Sequence, residues 1–326
     1  MTKNRKATKA IKTICLAVAA VLLSGCQEKS AAKENVSIYY SAIESGDYYE
    51  GWASQLQEQA AKLGASFEVG YAENSIETQA AQIKQAADDS DVILCGPVSA
   101  DVVSELKKAA KDTPIVFMNN APEDGELQKD HFIYVASDEY MAGQYQAEYI
   151  LEKFAGKDEI NVAILKGPKN ASGAAGRTKG LKKTLKESGK KIHYVFEDHA
   201  DWSTDTAKEF IGLLLKTGNP VDCVAANNDD MALGAVQAFE EAGIDTKDVL
   251  FLGVDASEGG CQAIADGRLD FTVYQPMSSQ IVAAVQAAVN MANEQSIQDI
   301  EWATKDGKYI LLPFEKVDES NVSQYQ

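Results

Sequence analysis

The chain has 326 residues, a formal net charge of −18 and 45% hydrophobic residues. An acidic balance of this size disfavours nucleic-acid partners, whose phosphates it would repel, and we interpret it as a solubility feature rather than an acidic functional patch. Three histidines and five cysteines stand without metal-ligand or disulfide spacing, which disfavours a metal enzyme and predicts no cofactor.

The first residues have the pattern of a lipoprotein export signal. A basic stretch precedes an apolar run, residues 14–23, that is too short to span a bilayer comfortably. Leu23-Ser24-Gly25-Cys26 then resembles a lipobox, which predicts removal of residues 1–25, lipidation of Cys26 and a flexible tether over residues 26–35. The alternative is an uncleaved anchor followed by a chance cysteine. Cleavage would remove five basic residues and no acidic residue, moving the net charge from −18 to −23.

Strands and helices alternate through the first half of the chain. Apolar runs with strand propensity are separated by segments with helical periodicity, which is typical of a parallel α/β layer. The predicted strands are 36–40, 66–71, 92–95, 115–118 and 132–135, and the predicted helices are 48–63, 76–87 and 102–110.

The same alternation begins again near residue 141 and continues to the end of the chain. About 300 mature residues suit two domains better than one, so the repetition predicts two similar lobes. The predicted strands here are 162–165, 192–196, 221–226, 249–254, 270–274 and 309–312, and the predicted helices are 141–154, 177–187, 204–215, 257–266 and 280–293. A further helix is predicted from apolar residues at helical spacing between Met231 and Phe239, and Gly243 ends it.

Three strands between residues 221 and 275 each end in polar side chains. The first runs into Asn227-Asn228-Asp229-Asp230, the second ends at Asp255 and the third at Gln275. Because ligands of open α/β sheets lie at the carboxyl ends of the strands, this edge is the predicted binding site. Asp229 and Asp230 are predicted to cap the helix that they precede rather than to contact ligand.

These residues also carry a family resemblance. Asn228-Asp229-Asp230-Met231-Ala232-Leu233-Gly234, then Gly253-Val254-Asp255, then residues 264–269 leading to Gln275, resemble the type I periplasmic binding proteins of the ribose, galactose and glucose group. Those proteins are the capture subunits of ABC sugar importers. The resemblance extends more weakly from Val36 to the end of the chain.

The resemblance implies two doubly wound parallel-sheet lobes joined by a hinge of three crossovers. It places the crossovers near Ser137, just after Gln275 and near Lys305, so that the lobes close over a ligand in the cleft. The N-terminal lobe is then 36–137 plus 276–305, and the C-terminal lobe is 138–275 plus 306–326.

The resemblance also assigns residues to the first side of the cleft. Tyr48 and Tyr49 open the first helix where the family has aromatic residues at the cleft, although ordinary packing at a helix start would also explain them. Asn119 and Asn120 end a strand where many family members carry charged residues, and this departure makes borrowing a ligand identity unsafe. Their alternative role is an Asx turn before Pro122.

On the other side of the cleft the resemblance places Arg177 and Trp202. Arg177 matches a guanidinium that reaches across the cleft to oxygen atoms of the ligand, after a long Gly/Ala-rich loop over 167–176. A phosphate-binding loop is the rival interpretation, but the Gly-Lys-Ser/Thr ending of such loops is missing. Trp202 matches a stacking aromatic residue of galactose and glucose binders.

Asn228, Asp255 and Gln275 complete the predicted set of ligand-binding residues. Asp255 is the strongest candidate, because one carboxylate can accept hydrogen bonds from two adjacent hydroxyls. Its alternative role is a helix cap.

The predicted function is capture of a neutral sugar or related polyol, followed by delivery to an ABC permease and its ATPase. The sequence has no Gly-x-Ser-x-Gly or Gly-x-Gly-x-x-Gly motif, so we predict a binding protein and not an enzyme. The family resemblance implies that it is a monomer. A receptor for a sugar-like signal, such as a furanosyl autoinducer, coupled to a chemoreceptor or histidine kinase is the alternative. Either protein would be extracytoplasmic and anchored through Cys26.

Overall fold

A computed structural model describes residues 33 and 35–326, so the predicted signal, Cys26 and most of the predicted tether lie outside the described residues. Within the described part, the strands in chain order are β1 (Ser37–Ala42), β2 (Ser66–Tyr71), β3 (Val92–Cys95), β4 (Ile115–Met118), β5 (Phe132–Ser137), β6 (Glu159–Lys166), β7 (Lys191–His199), β8 (Cys223–Ala226), β9 (Leu250–Leu252), β10 (Phe271–Tyr274), β11 (Tyr309–Leu312) and β12 (Glu315–Asp318). The α-helices are α1 (Asp47–Lys62), α2 (Ile76–Asp89), α3 (Val103–Ala110), α4 (Glu139–Lys153), α5 (Ser172–Glu187), α6 (Thr204–Lys216), α7 (Asp229–Glu241), α8 (Glu258–Ala265) and α9 (Met277–Ala292).

The strands form two six-stranded sheets of the same design. Their orders are β11-β5-β4-β3-β1-β2 and β12-β10-β9-β8-β6-β7. Apart from β11 and β12, both sheets have the doubly wound order. In each, the second strand of the lobe lies on one side of the first strand, and the later strands are added on the other side. The predicted pair of doubly wound lobes is confirmed. One strand departs from the parallel pattern, because β12 pairs antiparallel with β10 and was missed by the sequence analysis.

Each sheet is covered by helices on both faces. In the first lobe, residues of α1 and α9 pack on one face with Trp52, Leu56 and Ile281, while α2 and α3 pack on the other. In the second lobe, α4 and α5 cover one face and α6, α7 and α8 the other. Burial on both faces explains why β3, β4 and β8 are continuous apolar runs rather than alternating ones. The predicted buried thiols Cys95 and Cys223 lie in these strands.

The chain crosses between the sheets at three places. It leaves the first sheet after β5, returns after β10 to place α9 on the first sheet, and crosses again between β11 and β12. The predicted third crossover near Lys305 is wrong, because β11 pairs in parallel with β5. The crossing therefore follows Leu312. An isolated apolar strand carries no signal for the sheet edge that it joins, which explains the error.

The start of α5 also differs from the prediction. Residues 172–176 were expected to belong to a long loop because they are rich in glycine, yet α5 begins at Ser172. Its glycines are sites of close packing against α4: a Cβ added to Gly176 would lie 2.6 Å from the Glu139 Cβ, and one added to Gly180 would lie 2.0 Å from the Tyr140 carbonyl oxygen. The two helices approach so closely that only glycine fits at these positions.

Within the described residues, no helix is both long and apolar enough to cross a bilayer.

Candidate ligand-binding site

A cavity of about 450 Å³ lies between the two lobes. Its walls are built where the strands of both sheets end: residues after β1, β3 and β4 face residues after β6, β8, β9 and β10. These ends include the points where strand order reverses, which is where open α/β sheets hold ligands. All nine residues selected from the sequence line this cavity: Tyr48, Tyr49, Asn119, Asn120, Arg177, Trp202, Asn228, Asp255 and Gln275.

The start of α1 supplies an aromatic wall. The Tyr48 and Tyr49 rings lie edge to face with centroids 5.0 Å apart, and the Tyr48 and Trp52 rings are 6.3 Å apart. Tyr48 and Trp52 both line the cavity, and Trp52 is otherwise buried in the first lobe. Burial, followed by the charge of Asp255 in the opposite lobe, raises the pKa of Tyr48 to about 12. The phenol therefore stays protonated and offers a hydroxyl donor together with a ring face.

Trp202 forms part of the facing wall, in the second lobe. Its backbone has a positive φ of 64°, in the region that side chains other than glycine rarely adopt. The Arg177 guanidinium lies 5.8 Å from the indole centroid. The ring also packs against Gly167, where an added Cβ would lie 2.2 Å from the indole carbons. Gly167 and Arg177 thus fix the ring, which supplies an apolar surface opposite Tyr48 and Tyr49.

Arg177 is held by its own lobe. Its Nε donates to Glu139 at 2.6 Å, its Nη1 donates to the carbonyl oxygen of Asn227 at 2.6 Å, and Nη1 lies 3.4 Å from Asp255. The hydrogen bonds and ion pairs of Arg177 with described residues all lie in the second lobe, and its predicted contact with ligand oxygen atoms stays a prediction. Burial lowers the pKa of Arg177, but Glu139 and Asp255 more than offset this and raise it above its ordinary value.

Asp255 sits beside the guanidinium with a strained backbone. Its φ is 115°, and such strain concentrates at functional sites. Burial raises the pKa of its carboxyl to about 7; Arg177 acts in the opposite direction, and Asp229, Glu139 and Asp230 add to the rise. The alternative role of helix cap is filled by Ser257, whose hydroxyl accepts from Gly260 N–H at 3.0 Å. The Asp255 carboxylate is therefore available to the cavity.

The residues at the start of α7 divide their roles differently from the prediction. Asn228 is the helix cap, because its Oδ1 accepts from Met231 N–H at 3.1 Å, while its side chain also lines the cavity. Asp230, predicted to cap, lines the cavity instead. Asp229 is buried behind the site and accepts from the Thr272 hydroxyl at 2.5 Å and from Ser257 N–H at 2.7 Å. Only geometry distinguishes these neighbouring side chains.

Asn119 and Asn120 join the two lobes as well as lining the cavity. Asn120 Oδ1 accepts from Ser172 N–H at 3.2 Å, and its Nδ2 donates to the Pro97 carbonyl at 2.9 Å. The Ser172 hydroxyl in turn accepts from Ala121 N–H at 2.8 Å. Asn119 has a positive φ of 65°. The pair is therefore part of a bridge between the lobes rather than only a local turn before Pro122.

The cavity has polar members that the sequence analysis did not select. Glu44 follows β1, Glu139 opens α4, and Gln280 reaches from α9 to donate to the Ser137 hydroxyl at 3.1 Å. Glu139 could have been selected from the sequence, since it begins a helix that follows a strand. Asn228, which was selected, immediately precedes such a helix. Glu44 and Gln280 carry no such signal, because both lie in segments whose periodicity is satisfied without them. Gln275 closes the set at the end of β10.

This combination of groups suits a hydroxylated ring. Carboxylates and amides accept and donate to hydroxyl pairs, and the aromatic walls cover apolar ring faces. Among the described residues, no group of three or more His, Cys, Asp or Glu side chains is arranged to hold a metal ion.

Comparisons with known proteins identify the relatives of this chain. The family model for a periplasmic binding protein domain matches residues 38–296. A Rhizobium meliloti protein named for rhizopine binding is 29% identical over 81% of this chain and 83% of its own. The ribose import binding protein of Escherichia coli is 27% identical over 88% of this chain and 95% of its own.

A solved structure extends the likeness to the fold. An ABC transporter solute binding protein from Bacillus halodurans, with bound myo-inositol, superposes with a TM-score of 0.76 at 26% identity, covering 91% of this chain and 98% of that one. Since the family model covers well over half of the chain, this chain belongs to the periplasmic binding protein domain family.

Proposed function

We propose that this protein is the extracytoplasmic solute-binding lipoprotein of an ABC importer, which captures a monosaccharide or related polyol and delivers it to a permease and its ATPase. In this proposal residues 1–25 are removed and Cys26 carries the lipid that anchors the protein outside the cell. The protein acts as a monomer and not as an enzyme. The relatives named for ribose import and the relative with bound myo-inositol support this class of ligand.

The observation that carries the proposal is the composition of the interlobe cavity. Its volume of about 450 Å³ is within the range of small-molecule sites. Tyr48 and Trp202 provide two ring-sized apolar surfaces in opposite lobes, while Asp255, Asn228 and Gln275 supply acceptors and donors between them. A hydroxyl that is misplaced in a closed cavity leaves a buried partner unpaired, at a cost of about 1 to 3 kcal/mol, which is how such a site rejects the wrong epimer.

Lobe closure provides the signal that a permease would read. The three crossovers allow the lobes to rotate about a common axis, and ligand bound to both walls favours the closed state by its difference in affinity for the two states. The bridge from Ser172 to Asn120 and Ala121 would then stabilise the closed state.

Sensing is the alternative use of the same closure. A structure described as the fructose binding periplasmic domain of a hybrid two component system shares the fold, with a TM-score of 0.75 at 21% identity. That likeness extends to the fold alone, so import and sensing differ only in the partner of the closed form. Deletion of the gene separates them: loss of uptake of radiolabelled ligand supports import, whereas intact uptake with loss of a transcriptional response supports sensing.

Thermal melts test the binding proposal. The chain lacking residues 1–26 is unfolded and refolded to remove bound ligand, and then melted with a panel of pentoses, hexoses, cyclitols, nucleosides and amino acids. Ligand at about 100 times its dissociation constant should add roughly 2.7 kcal/mol of stability. Trp202→Ala should abolish the shift. Trp302→Ala is the matched control, because Trp302 is 51% exposed and does not line the cavity. A response to nucleosides or amino acids alone would refute the sugar class.

A further inference from the structure

The cavity holds more negative than positive charge. Four carboxylates line it, those of Glu44, Glu139, Asp230 and Asp255, against the single guanidinium of Arg177. A neutral sugar would leave this imbalance in place when the lobes close over it. The observation bears on the ligand class of the proposed function and rests on that function.

Arg177 neutralises only part of this charge. Its Nε is bonded to Glu139 at 2.6 Å, and its Nη1 is shared between the Asn227 carbonyl oxygen at 2.6 Å and Asp255 at 3.4 Å. Glu44 accepts a hydrogen bond from the neutral amide of Asn74. Within the described part of the chain, no lysine, arginine or histidine lies in salt-bridge range of Glu44 or Asp230. Two carboxylates, one in each lobe, therefore remain without a cation.

The arrangement does not suit a metal ion. In residues 33 and 35–326, no three acidic, histidine or cysteine side chains converge as metal ligands would. Carboxylates spread over two walls suit an organic cation, whose charge is separated from its other polar groups. The aromatic walls agree, because the ring faces of tyrosine and tryptophan attract cations and not anions.

An independent observation points to hydroxyl groups on the same ligand. Trp52 lines the cavity and is 3% exposed, and its indole Nε1 meets no acceptor in full hydrogen-bond geometry among the described residues. The indole is near enough to the Tyr48 hydroxyl only to lower the pKa of that phenol slightly against the effect of burial. A buried donor without a partner costs about 1 to 3 kcal/mol. An oxygen acceptor on the ligand would satisfy it. The cavity therefore suits a ligand that has both a positive charge and oxygen acceptors.

We propose that the ligand carries a protonated amino group on its hydroxylated ring, as an amino sugar or an amino cyclitol does. The ammonium group lies against the carboxylates that Arg177 leaves uncompensated, and the ring lies between Tyr48 and Trp202. The ammonium offers three hydrogen-bond donors for Glu44, Asp230 or Asp255. The hydroxyls form hydrogen bonds with the amide side chains and accept from the indole N–H of Trp52.

Calorimetric titration of the refolded chain lacking residues 1–26 tests the proposal. Each ring is presented in three matched forms at one carbon: hydroxyl, free amine and N-acetylated amine, for example glucose, glucosamine and N-acetylglucosamine, with galactose and inositol series beside them. We expect the amine form of one series to bind at least about tenfold more tightly than its hydroxyl and N-acetyl forms.

Charge variants identify the source of the preference. Glu44→Gln and Asp230→Asn remove a charge while keeping the size of the side chain, and each should reduce the preference for amine over hydroxyl about fivefold or more. Asp248→Asn is the matched control, because Asp248 is exposed and outside the cavity, so the preference should remain.

Failure of this inference differs from failure of the proposed function. Tight binding of a neutral sugar with no gain from the amine overturns the inference and leaves the proposed function standing. Binding of a linear polyamine as tight as that of any amino ring also overturns it, because the hydroxyls would then be irrelevant. If no sugar, cyclitol or amine derivative binds, both the inference and the proposed function are overturned.

Discussion

Gly143 offers a sharp test of how helix packing supports the site. It lies in α4, where a Cβ would come within 1.8 Å of the Arg177 carbonyl oxygen and 2.7 Å of the Leu181 nitrogen. Both atoms belong to the backbone of α5, so no flexible side chain can move aside. Gly143→Ala must push the two helices apart. Because Glu139 and Arg177 are on these helices, the same shift disturbs their ion pair.

The expected loss of stability follows from two opposing terms. Overpacking of a well-packed contact costs about 1 to 3 kcal/mol, and sometimes more, whereas alanine gains about 0.5 to 1 kcal/mol over glycine in a helix. Gly212→Ala in α6 is the matched control, since an added Cβ there meets no atom within 4 Å. The control should gain stability and Gly143→Ala should lose it. Because the helix gain is common to both variants, the difference between them is the overpacking cost of about 1 to 3 kcal/mol.

Urea unfolding measures this difference. Tryptophan fluorescence and far-ultraviolet circular dichroism are recorded together, because coincident transitions are needed before a single free energy of unfolding is assigned to a two-lobed protein. Gly143→Ala should also weaken ligand binding, whereas Gly212→Ala should not. Equal midpoints for the two variants would show that α4 and α5 are not in close contact and would refute the reasoning.

Further predictions concern the lobe bridge, the pH dependence of binding and the tryptophan wall. Ser172→Ala removes a hydrogen bond between the lobes outside the cavity, so the dissociation constant measured by calorimetry should rise about fivefold, and an unchanged constant would refute a role in closure. The pKa of Asp255 is raised to about 7, and we propose that its ionised form accepts hydrogen bonds from ligand. Affinity should therefore fall as pH drops through 7, up to roughly tenfold per pH unit, whereas the affinity of Asp255→Asn should not change with pH. Gly167→Ala would place a Cβ 2.2 Å from the Trp202 ring, so it should weaken binding about tenfold, close to the effect of Trp202→Ala; wild-type affinity would count against a stacking role.

Much of the fold could be predicted from the sequence because its signals are local. Buried strands such as β3 and β4 are short continuous apolar runs, and Ser75 and Ser203 cap helices α2 and α6 by accepting from backbone N–H groups. Gly64 and Gly243 end α1 and α7 with positive φ angles of 72° and 65°. Each of these features depends on neighbours within a few residues, which a sequence displays directly.

The errors arose where a distant partner decides the structure. Helix α5 was predicted to start late because glycine disfavours helices, and the compensating contact with α4 comes from residues more than thirty positions away. The place of β11 depends on an edge of the first sheet, and β12 is visible only through its pairing with β10. No local pattern in these segments records those partners.

The site shows the same division. Tyr48, Arg177, Trp202 and Asp255 were found through the resemblance to a family and through strand ends, and the structure brings them to one cavity. The excess of negative charge in the cavity was not predicted, because Glu44 and Asp230 lie in different lobes and line one cavity only when the lobes face each other. Charge balance is a property of the assembled cavity and not of any motif.

The most direct test of the account is a crystal structure of the protein with the ligand that gives the largest shift in the thermal melts. The account predicts the ring of the ligand between Tyr48 and Trp202, within about 4 Å of both, with Asp255 accepting from its hydroxyl groups. A ligand seated elsewhere, or one that leaves the interlobe cavity filled only by water, would contradict it.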